Sequence, residues 1–359
     1  MVSTNMKLLI HTQTLDRNAD VLGFMHGWIR AFAEACDEVT VVALQVGEYD
    51  LPKNVRVFSL GKETRPSRFR YLLNFYRYLF RERSHYDHVL VHMNHEYVLL
   101  GGFFWRLMGK RIGLWYAHGH VPYSLHVALW ITHVVLASTK SGFRIPSSKL
   151  QVIGQGIDVD QFSYVPHNYD EKEPFRIIVT GRISPVKDIE TLVRAVKLLV
   201  DRGRVVTLDI VGDAGTDEQR AYVTRLKELV TSTSLAEYVR FLGAVPNIKI
   251  QEVLRTAHLF VNNSRTGSLD KTMVEAMSTG LPTLSSNVAM KEVFGDLAGS
   301  FMFPEGDHEA LAVLIEKQML MSNSERAHVG EVIRDIVVRE HSLRRFVSKI
   351  VQVLGEDPS

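Results

Sequence analysis

A single cysteine, Cys36, among 359 residues leaves no internal disulfide framework and no cysteine-rich zinc site, and it fits a reducing compartment. No uninterrupted apolar run reaches the roughly 20 residues of a membrane span. Met1–Lys7 leads straight into a strand-like segment, with no apolar signal region. Charge of one sign is scarce as well: 42 Lys and Arg stand against 40 Asp and Glu, a net charge of +2. That balance argues against nucleic acid as a partner, because such binding needs a dense basic surface. No G-x-G-x-x-G follows the first strand, which disfavours a nicotinamide dehydrogenase. There is no repeat and no low-complexity tract. What is present is 46% hydrophobic and 23% charged, the balance of a globular protein. The length exceeds one ordinary domain of about 100–200 residues. The expectation is a cytoplasmic protein of two domains.

Short apolar runs alternate with helical stretches. Lys7–His11, Val39–Ala43, Val55–Leu60, His88–His92, Arg111–Ala117 and Val134–Ser138 read as strands, and Phe24–Ala35 reads as a helix. After a polar segment at Val165–Pro174, taken as a linker, the alternation restarts. Strands are expected at Phe175–Thr180, Thr207–Val211, Val239–Leu242 and Leu259–Asn262, and helices at Asp188–Asp201, Ala221–Ser232 and Ile248–Thr256. The pattern implies an α/β protein of two doubly wound parallel units, whose ligands sit beyond the carboxyl ends of the strands.

Arg65–Arg83 departs from the average, with six arginines, one acid and six aromatic side chains. Phe69, Leu72, Leu73, Tyr76 and Phe80 share one helical face, and Arg70, Arg77 and Arg81 form a stripe beside it. Two readings stay open: a core-packing helix with a solvated basic edge, or a peripheral helix on an anionic membrane surface.

The chemistry concentrates in the second half. Thr180–Asp188, TGRISPVKD, places Gly181, Arg182 and Lys187 between a strand and an amphipathic helix. Glycine admits close backbone approach, a helix start offers free amides, and the two cations suit phosphate oxygens. Val261–Pro282 repeats the plan, with small Thr266, Gly267 and Ser268 before a helix carrying Glu275. An acid at that position can accept hydrogen bonds from a pair of ribose hydroxyls.

Taken together, GRISPVKDIETLVRAVKLL, LDIVGDAG, VRFLGAV and SLDKTMVEAMSTGLPTLSS resemble the donor-nucleotide half of GT-B glycosyltransferases, in the large fourth family of retaining enzymes (glycosyl transferases group 1). KLQVIGQGIDVDQF is similar to the loop that joins the two domains in that family. The resemblance implies the GT-B architecture, two Rossmann-like doubly wound domains facing across a cleft. The expected boundaries are an acceptor-side domain at 1–164, a donor-nucleotide domain at 165–335, and a C-terminal helix at 336–359 returning to the first domain.

The resemblance implies roles for matching positions. Arg182 and Lys187 bind the diphosphate of a sugar nucleotide, Glu275 holds the ribose, and backbone around Gly243, Ala244 and Val245 meets the base. Gly181 and Gly212 belong to the same donor motifs, as does the loop Gly267, Ser268, Leu269, Asp270 and Lys271. His118, in WYAHGH, matches the active-site histidine that contacts the donor sugar, with His120 as a fallback. The expected partners are a sugar nucleotide and a hydroxyl acceptor, glycan, lipid-linked or small. No cofactor and no metal are expected.

Two departures stand out. The late motif of the family carries two glutamates, and here the first position is Gly267. Asp270 is then the nearest carboxylate able to swing toward a sugar, unless it caps the following helix. The glycine-rich loop expected after the first strand is also weak, since Thr12–Gly23 holds only Gly23. Asp158 and Asp160 spell D-x-D but fall in the joining loop and read as structural. Eight of the 15 histidines lie between His85 and His133, without metal-site spacing. His92, Asn94 and Glu96 are candidates for an acceptor pocket or for a solvated loop. The rival readings are a sugar-nucleotide epimerase or hydrolase on the same fold, and a non-catalytic nucleotide-sugar-binding subunit.

Overall fold

The computed structural model describes residues 6–19, 22–64 and 67–356. The chain divides into two compact units, 1–156 with 342–359, and 157–341. The first runs β1 (Lys7–Leu15), α1 (Phe24–Ala35), β2 (Glu38–Val46), β3 (Val55–Ser59), α2 (Arg68–Arg81), β4 (His88–His92), α3 (Glu96–Leu107), β5 (Arg111–Trp115), α4 (Tyr123–Ile131), β6 (Val134–Ala137) and β7 (Leu150–Val152). The second holds β8 (Phe175–Thr180), α5 (Ile189–Asp201), β9 (Val206–Val211), α6 (Asp217–Ser232), β10 (Val239–Gly243), α7 (Asn247–Leu254), β11 (Leu259–Asn262), α8 (Lys271–Ser278) and β12 (Thr283–Ser285). It continues through α9 (Ala289–Phe294), α10 (Ala298–Phe301), α11 (His308–Met319) and α12 (Asn323–Ile336), and α13 (Leu343–Gly355) completes the first unit.

Both sheets are parallel, in the orders β3-β2-β1-β4-β5-β6-β7 and β10-β9-β8-β11-β12. Each strand order reverses once, between β1 and β4 in one unit and between β8 and β11 in the other. A reversal sends the flanking helices to opposite faces and opens a crevice at the carboxyl ends of the two strands. The fold thereby singles out the loops after β8 and β11.

The sheet of the first unit carries a core on each face. Trp28, Ile29 and Phe32 of α1 join Phe346, Ile350 and Leu354 of α13 in one cluster. Phe75 and Leu79 of α2, Val98 and Trp105 of α3, and Leu125 and Ala128 of α4 join the other. Trp28 and Phe346 pack with ring centroids 4.1 Å apart, their planes tilted by 45°. The Trp28 indole donates to the Gly156 carbonyl at 2.7 Å. Gly156 has φ +66, and a Cβ there would fall 2.9 Å from both Trp28 and Phe346, so only glycine brings the chain this close.

Three expectations change. The units part at 156/157 and 341/342 rather than at 164/165 and 335/336, because Ile157, Phe162 and Val337 are buried in the core of the second unit. The polar segment at Val165–Pro174 packs on that unit: His167 is buried, its ring nitrogens 2.9 and 3.2 Å from the Ala257 and Thr279 carbonyls. In α2 the buried side chains are Phe75 and Leu79, while Phe69, Leu72, Leu73 and Phe80 are exposed. The apolar stripe seen in the sequence is therefore not a core face. Arg65, at the start of that basic segment, lies outside the described residues, as do Asp20 and Val21 of the Thr12–Gly23 loop.

Candidate functional site

In the second unit, Gly181, Gly212 and Gly243 sit at the carboxyl ends of three adjacent strands, with φ of +121, +145 and +75. Gly181 N donates to the Val211 carbonyl at 2.9 Å, and Gly212 N donates to the Gly243 carbonyl at 2.8 Å. A Cβ on Gly212 would lie 1.8 Å from the Gly181 oxygen. Gly212 must be glycine because backbone packs on backbone there, while Gly181 and Gly243 have space around them and a positive φ that glycine adopts without strain. Ala244 is exposed and Val245 half-buried in the turn that follows β10.

Arg182 is exposed just past Gly181. Pro185–Lys187 forms a tight turn, and Asp188 turns the chain into α5 at φ +44, ψ +45, a left-handed conformation that Asp tolerates better than most residues. The Asp188 carboxylate accepts from the Thr191 hydroxyl at 2.8 Å and from the Arg265 guanidinium at 2.7 Å. Arg265 N also donates to the Val186 carbonyl at 2.8 Å. The loops after β8 and β11 are thus bound to each other across the strand-order reversal.

The second loop brings up the acids. Asp270 Oδ2 accepts from the Lys187 ammonium and from Asn262 Nδ2, the latter at 2.9 Å, and Oδ1 accepts from the Thr272 hydroxyl at 3.2 Å. Expected as a group free to swing toward a sugar, this carboxylate has both oxygens engaged. It stands at the N-cap position of α8 but makes no side-chain cap bond. Burial pushes its carboxyl up, yet the charge of Lys187 and the bonds from Lys187, Asn262 and Thr272 outweigh that and hold it below the usual carboxylate range.

Glu275, in α8, is 2% exposed, and Asn247 Nδ2 donates to its Oε1 at 3.1 Å. Burial raises its carboxyl above the ordinary value, with Lys271 and Asn247 opposing in part. Burial likewise lowers the Lys271 ammonium to about 8, opposed by the charges of Glu275 and Asp158. Gly267, Ser268 and Leu269 are buried; Gly267 has φ +65, and the Ser268 carbonyl accepts from Asn287 Nδ2 at 2.8 Å. The sequence reading missed Asn247 and Asn262, which hold the two acids, and the Asp188–Arg265 clasp. It also missed Asn263, buried with both amide atoms lacking a hydrogen-bond partner among the described residues. The available signal was a pair of asparagines closing the otherwise apolar run Leu259–Val261.

Asp158 Oδ1 accepts from the backbone N–H groups of Asp160 and Gln161 at 3.1 and 3.0 Å, a local turn. Among the described residues, no group of three or more His, Cys, Asp or Glu is placed to hold a metal ion.

In the first unit, His118 lies exposed in the loop after β5, its Nδ1 accepting from the His120 N–H at 2.9 Å. The Tyr116 hydroxyl donates to the His120 carbonyl at 2.8 Å. At the strand-order reversal of this unit, His92 is buried with Nδ1 3.4 Å from the Thr12 hydroxyl. Asn94 is half-buried and Glu96 exposed.

Residues 174–319 match the family model of glycosyl transferases group 1. Mannosylfructose-phosphate synthase of Agrobacterium fabrum is 33% identical over 110 residues, 30% of this chain and 24% of that protein. D-inositol 3-phosphate glycosyltransferase of Streptomyces griseus is 26% identical over 187 residues, 45% of this chain and 39% of that protein. The chain therefore spans well under half the length of these curated relatives. Anabaena HepE in complex with UDP and glucose superposes with a TM-score of 0.78 at 18% identity, covering 98% of this chain and 100% of HepE. Sucrose-phosphate synthase of Thermosynechococcus elongatus gives 0.76 at 17% identity, over 97% and 98% of the two chains. At such identities the likeness is one of fold. Residues 174–319 thus match the glycosyl transferases group 1, within a chain whose two parallel Rossmann-like units share the GT-B fold of its structural neighbours.

Proposed function

We propose that the protein is a retaining, metal-independent glycosyltransferase that moves a sugar from a nucleoside-diphosphate sugar to a hydroxyl acceptor. One observation carries the reading. At the strand-order reversal of the second sheet, the Lys187 ammonium is held by Asp270 beside glycine-bare strand ends, with Arg182 in the same loop and buried Glu275 in α8. A fixed cation at such a point suits the charge that develops on a departing diphosphate. That the similar HepE was crystallised with UDP and glucose supports a sugar nucleotide as the ligand.

In this reading the bond between the anomeric carbon and the phosphate oxygen breaks, and the electron pair stays on the phosphate. The acceptor oxygen adds to the same face of the sugar, and its proton passes to the departing phosphate oxygen. No carboxylate nucleophile is needed, unlike the paired acids of glycosidases. Arg182 and Lys187 stabilise the leaving charge. Glu275, oriented by Asn247, accepts from the ribose hydroxyls. Main chain at Gly243–Val245 meets the base, and the loop Gly267–Lys271 serves the sugar. Asp270 acts through Lys187 as a positioning residue. On the same reading the protein works in the cytoplasm.

Gly267, standing where the family has an acid, favours a second reading, a non-catalytic subunit that binds the nucleotide sugar. One experiment tests both: melting temperature with nucleoside diphosphates and their sugars, alongside turnover. A ligand that binds only the folded state raises the melting temperature. Lys187→Ala and Arg182→Ala should each lower turnover about 10- to 150-fold, because a charge-assisted contact is worth about 1.5–3 kcal/mol. Wild-type rates in both variants would refute the anion site. Binding by the wild-type chain without transfer or hydrolysis would select the second reading.

A further inference from the structure

The helices α2, α3 and α4 form one layer over a single face of the first sheet, since their buried side chains share one core. They are locked side by side. Tyr76 and Phe80 of α2 meet Phe104 of α3 at ring-centroid distances of 5.7 and 5.3 Å. The Arg106 guanidinium of α3 donates to the Ile131 carbonyl that ends α4, at 2.7 Å. A Cβ on Gly102 would fall 2.4 Å from the Ile131 side chain, so α3 and α4 pack at close range.

The outer side of this layer is apolar where solvent would favour polar groups. Phe69 and Leu73 of α2 are 69% and 54% exposed, Phe103 and Leu107 of α3 are 64% and 70%, and Tyr123 and Trp130 of α4 are 85% and 80%. Each pair is spaced by four or seven residues, so each helix turns an apolar stripe away from the core. Scattered exposed apolar residues are ordinary, whereas three such stripes on adjoining helices make a patch that calls for a partner. Charge selects that partner. Arg68, Arg70, Arg77 and Arg81 belong to α2 and Arg106 to α3, while α2 and α4 contain no acid and α3 contains only Glu96, its first residue. The one acid after α2, Glu82, is buried against Arg56 and Arg81.

We propose that the outer face of α2, α3 and α4 is a docking surface for an anionic phospholipid bilayer, with these aromatic and leucine side chains entering the interface and the arginines reaching the headgroups. Aromatic rings suit the interfacial zone, and amphipathic helices with basic flanks bind anionic lipid. A second copy of the chain fits less well, since it would bring the same arginines and no acids to answer them. Contact is peripheral, because among the described residues no helix is long and apolar enough to cross a membrane. The proposal rests on reading α2 as a lipid-facing helix and is separate from sugar transfer.

The chain supplies its own reporter. Trp28, Trp105 and Trp115 are buried, which leaves Trp130 as the tryptophan whose surroundings change on docking. Full-length protein is mixed with vesicles of phosphatidylcholine alone or with phosphatidylglycerol added, and sedimentation and tryptophan emission are read together. Expected are co-sedimentation and a blue shift with the anionic vesicles, weakened by salt and with the shift abolished in Trp130→Phe. Arg70→Gln with Arg77→Gln should lower partitioning about 30-fold, from about 1 kcal/mol for each arginine near the surface. Phe103→Ser with Leu107→Ser should lower it as well. A nucleoside-diphosphate melting shift retained in these variants shows that they are folded and separates failure here from failure of the donor site. Equal partitioning to neutral and anionic vesicles, or none to either, overturns the proposal. So does self-association without lipid that the same variants abolish, because a second copy then covers the face.

Discussion

Asp270→Asn is the sharpest test of the role proposed for the loop Gly267–Lys271, since it removes a charge and keeps the shape. The Lys187 and Asp270 side chains are 18% and 11% exposed, so their pairing is largely shielded from water. Losing a charged hydrogen bond there should cost about 1.5–3 kcal/mol of stability. For a unit of this size that lowers the melting temperature by roughly 4–8 °C. Turnover should fall about 10- to 150-fold, as Lys187 loses the group that fixes it. Affinity for the bare nucleoside diphosphate should hold or rise, because a negative neighbour of the cation is gone. The pH dependence has a definite sign. The folded carboxyl titrates below the unfolded value of about 3.9, so its stabilisation is present above that value and is lost as pH falls through the folded one. Melting temperatures of wild type and variant should therefore differ at neutral pH and converge on acidification. Scanning calorimetry across pH, steady-state kinetics and diphosphate titration measure the three effects. Unchanged melting and unchanged turnover would refute the positioning role. A raised KM for the sugar nucleotide at unchanged stability would instead make Asp270 a direct sugar contact.

Further outcomes follow from other parts of the molecule. Activity should survive excess chelator, and loss of activity restored by manganese or magnesium would reopen the D-x-D at Asp158 and Asp160. His11 is buried among Phe75, Tyr97 and Trp105, without a hydrogen-bond partner for either ring nitrogen among the described residues, and burial lowers it to about 3. Between about 6.5 and 3 the unfolded chain holds a proton that the folded chain refuses, so stability should fall with pH, by on the order of 5 kcal/mol at the limit. His11→Leu should flatten that fall, read as the difference in melting temperature between neutral and mildly acid buffer; an equal fall in both proteins would refute it. Gly212→Ala should cost about 3 kcal/mol or more, because its Cβ meets the Gly181 carbonyl. Gly203→Ala, at φ +74 with nothing within 4 Å, should cost only the left-handed penalty of about 1–2 kcal/mol; equal losses on denaturant unfolding would contradict the backbone packing.

The sequence by itself determined the two parallel α/β units and most of their strands. Parallel strands covered on both faces are largely apolar, and that leaves runs such as Ile177–Val179 and Leu259–Val261 plain in the chain. It also marked the loops after β8 and β11 as candidates, because glycines beside cations at strand ends are a local pattern. The tertiary structure decided what local pattern cannot hold. Asp270 is met by Lys187, 83 positions away, and Glu275 by Asn247, 28 positions away; the pairing of β8 with β11 brings the first pair together, and the packing of the second unit brings the other. The stripe of α2 reads as amphipathic in sequence whichever side faces the core. Its orientation follows from Phe75 and Leu79 filling the layer above the sheet, which leaves Phe69 and Leu73 outside. The unit boundaries were settled in the same way, by which core buries Ile157, Phe162 and Val337. Periodicity reports that a face is apolar, and only packing assigns what covers it.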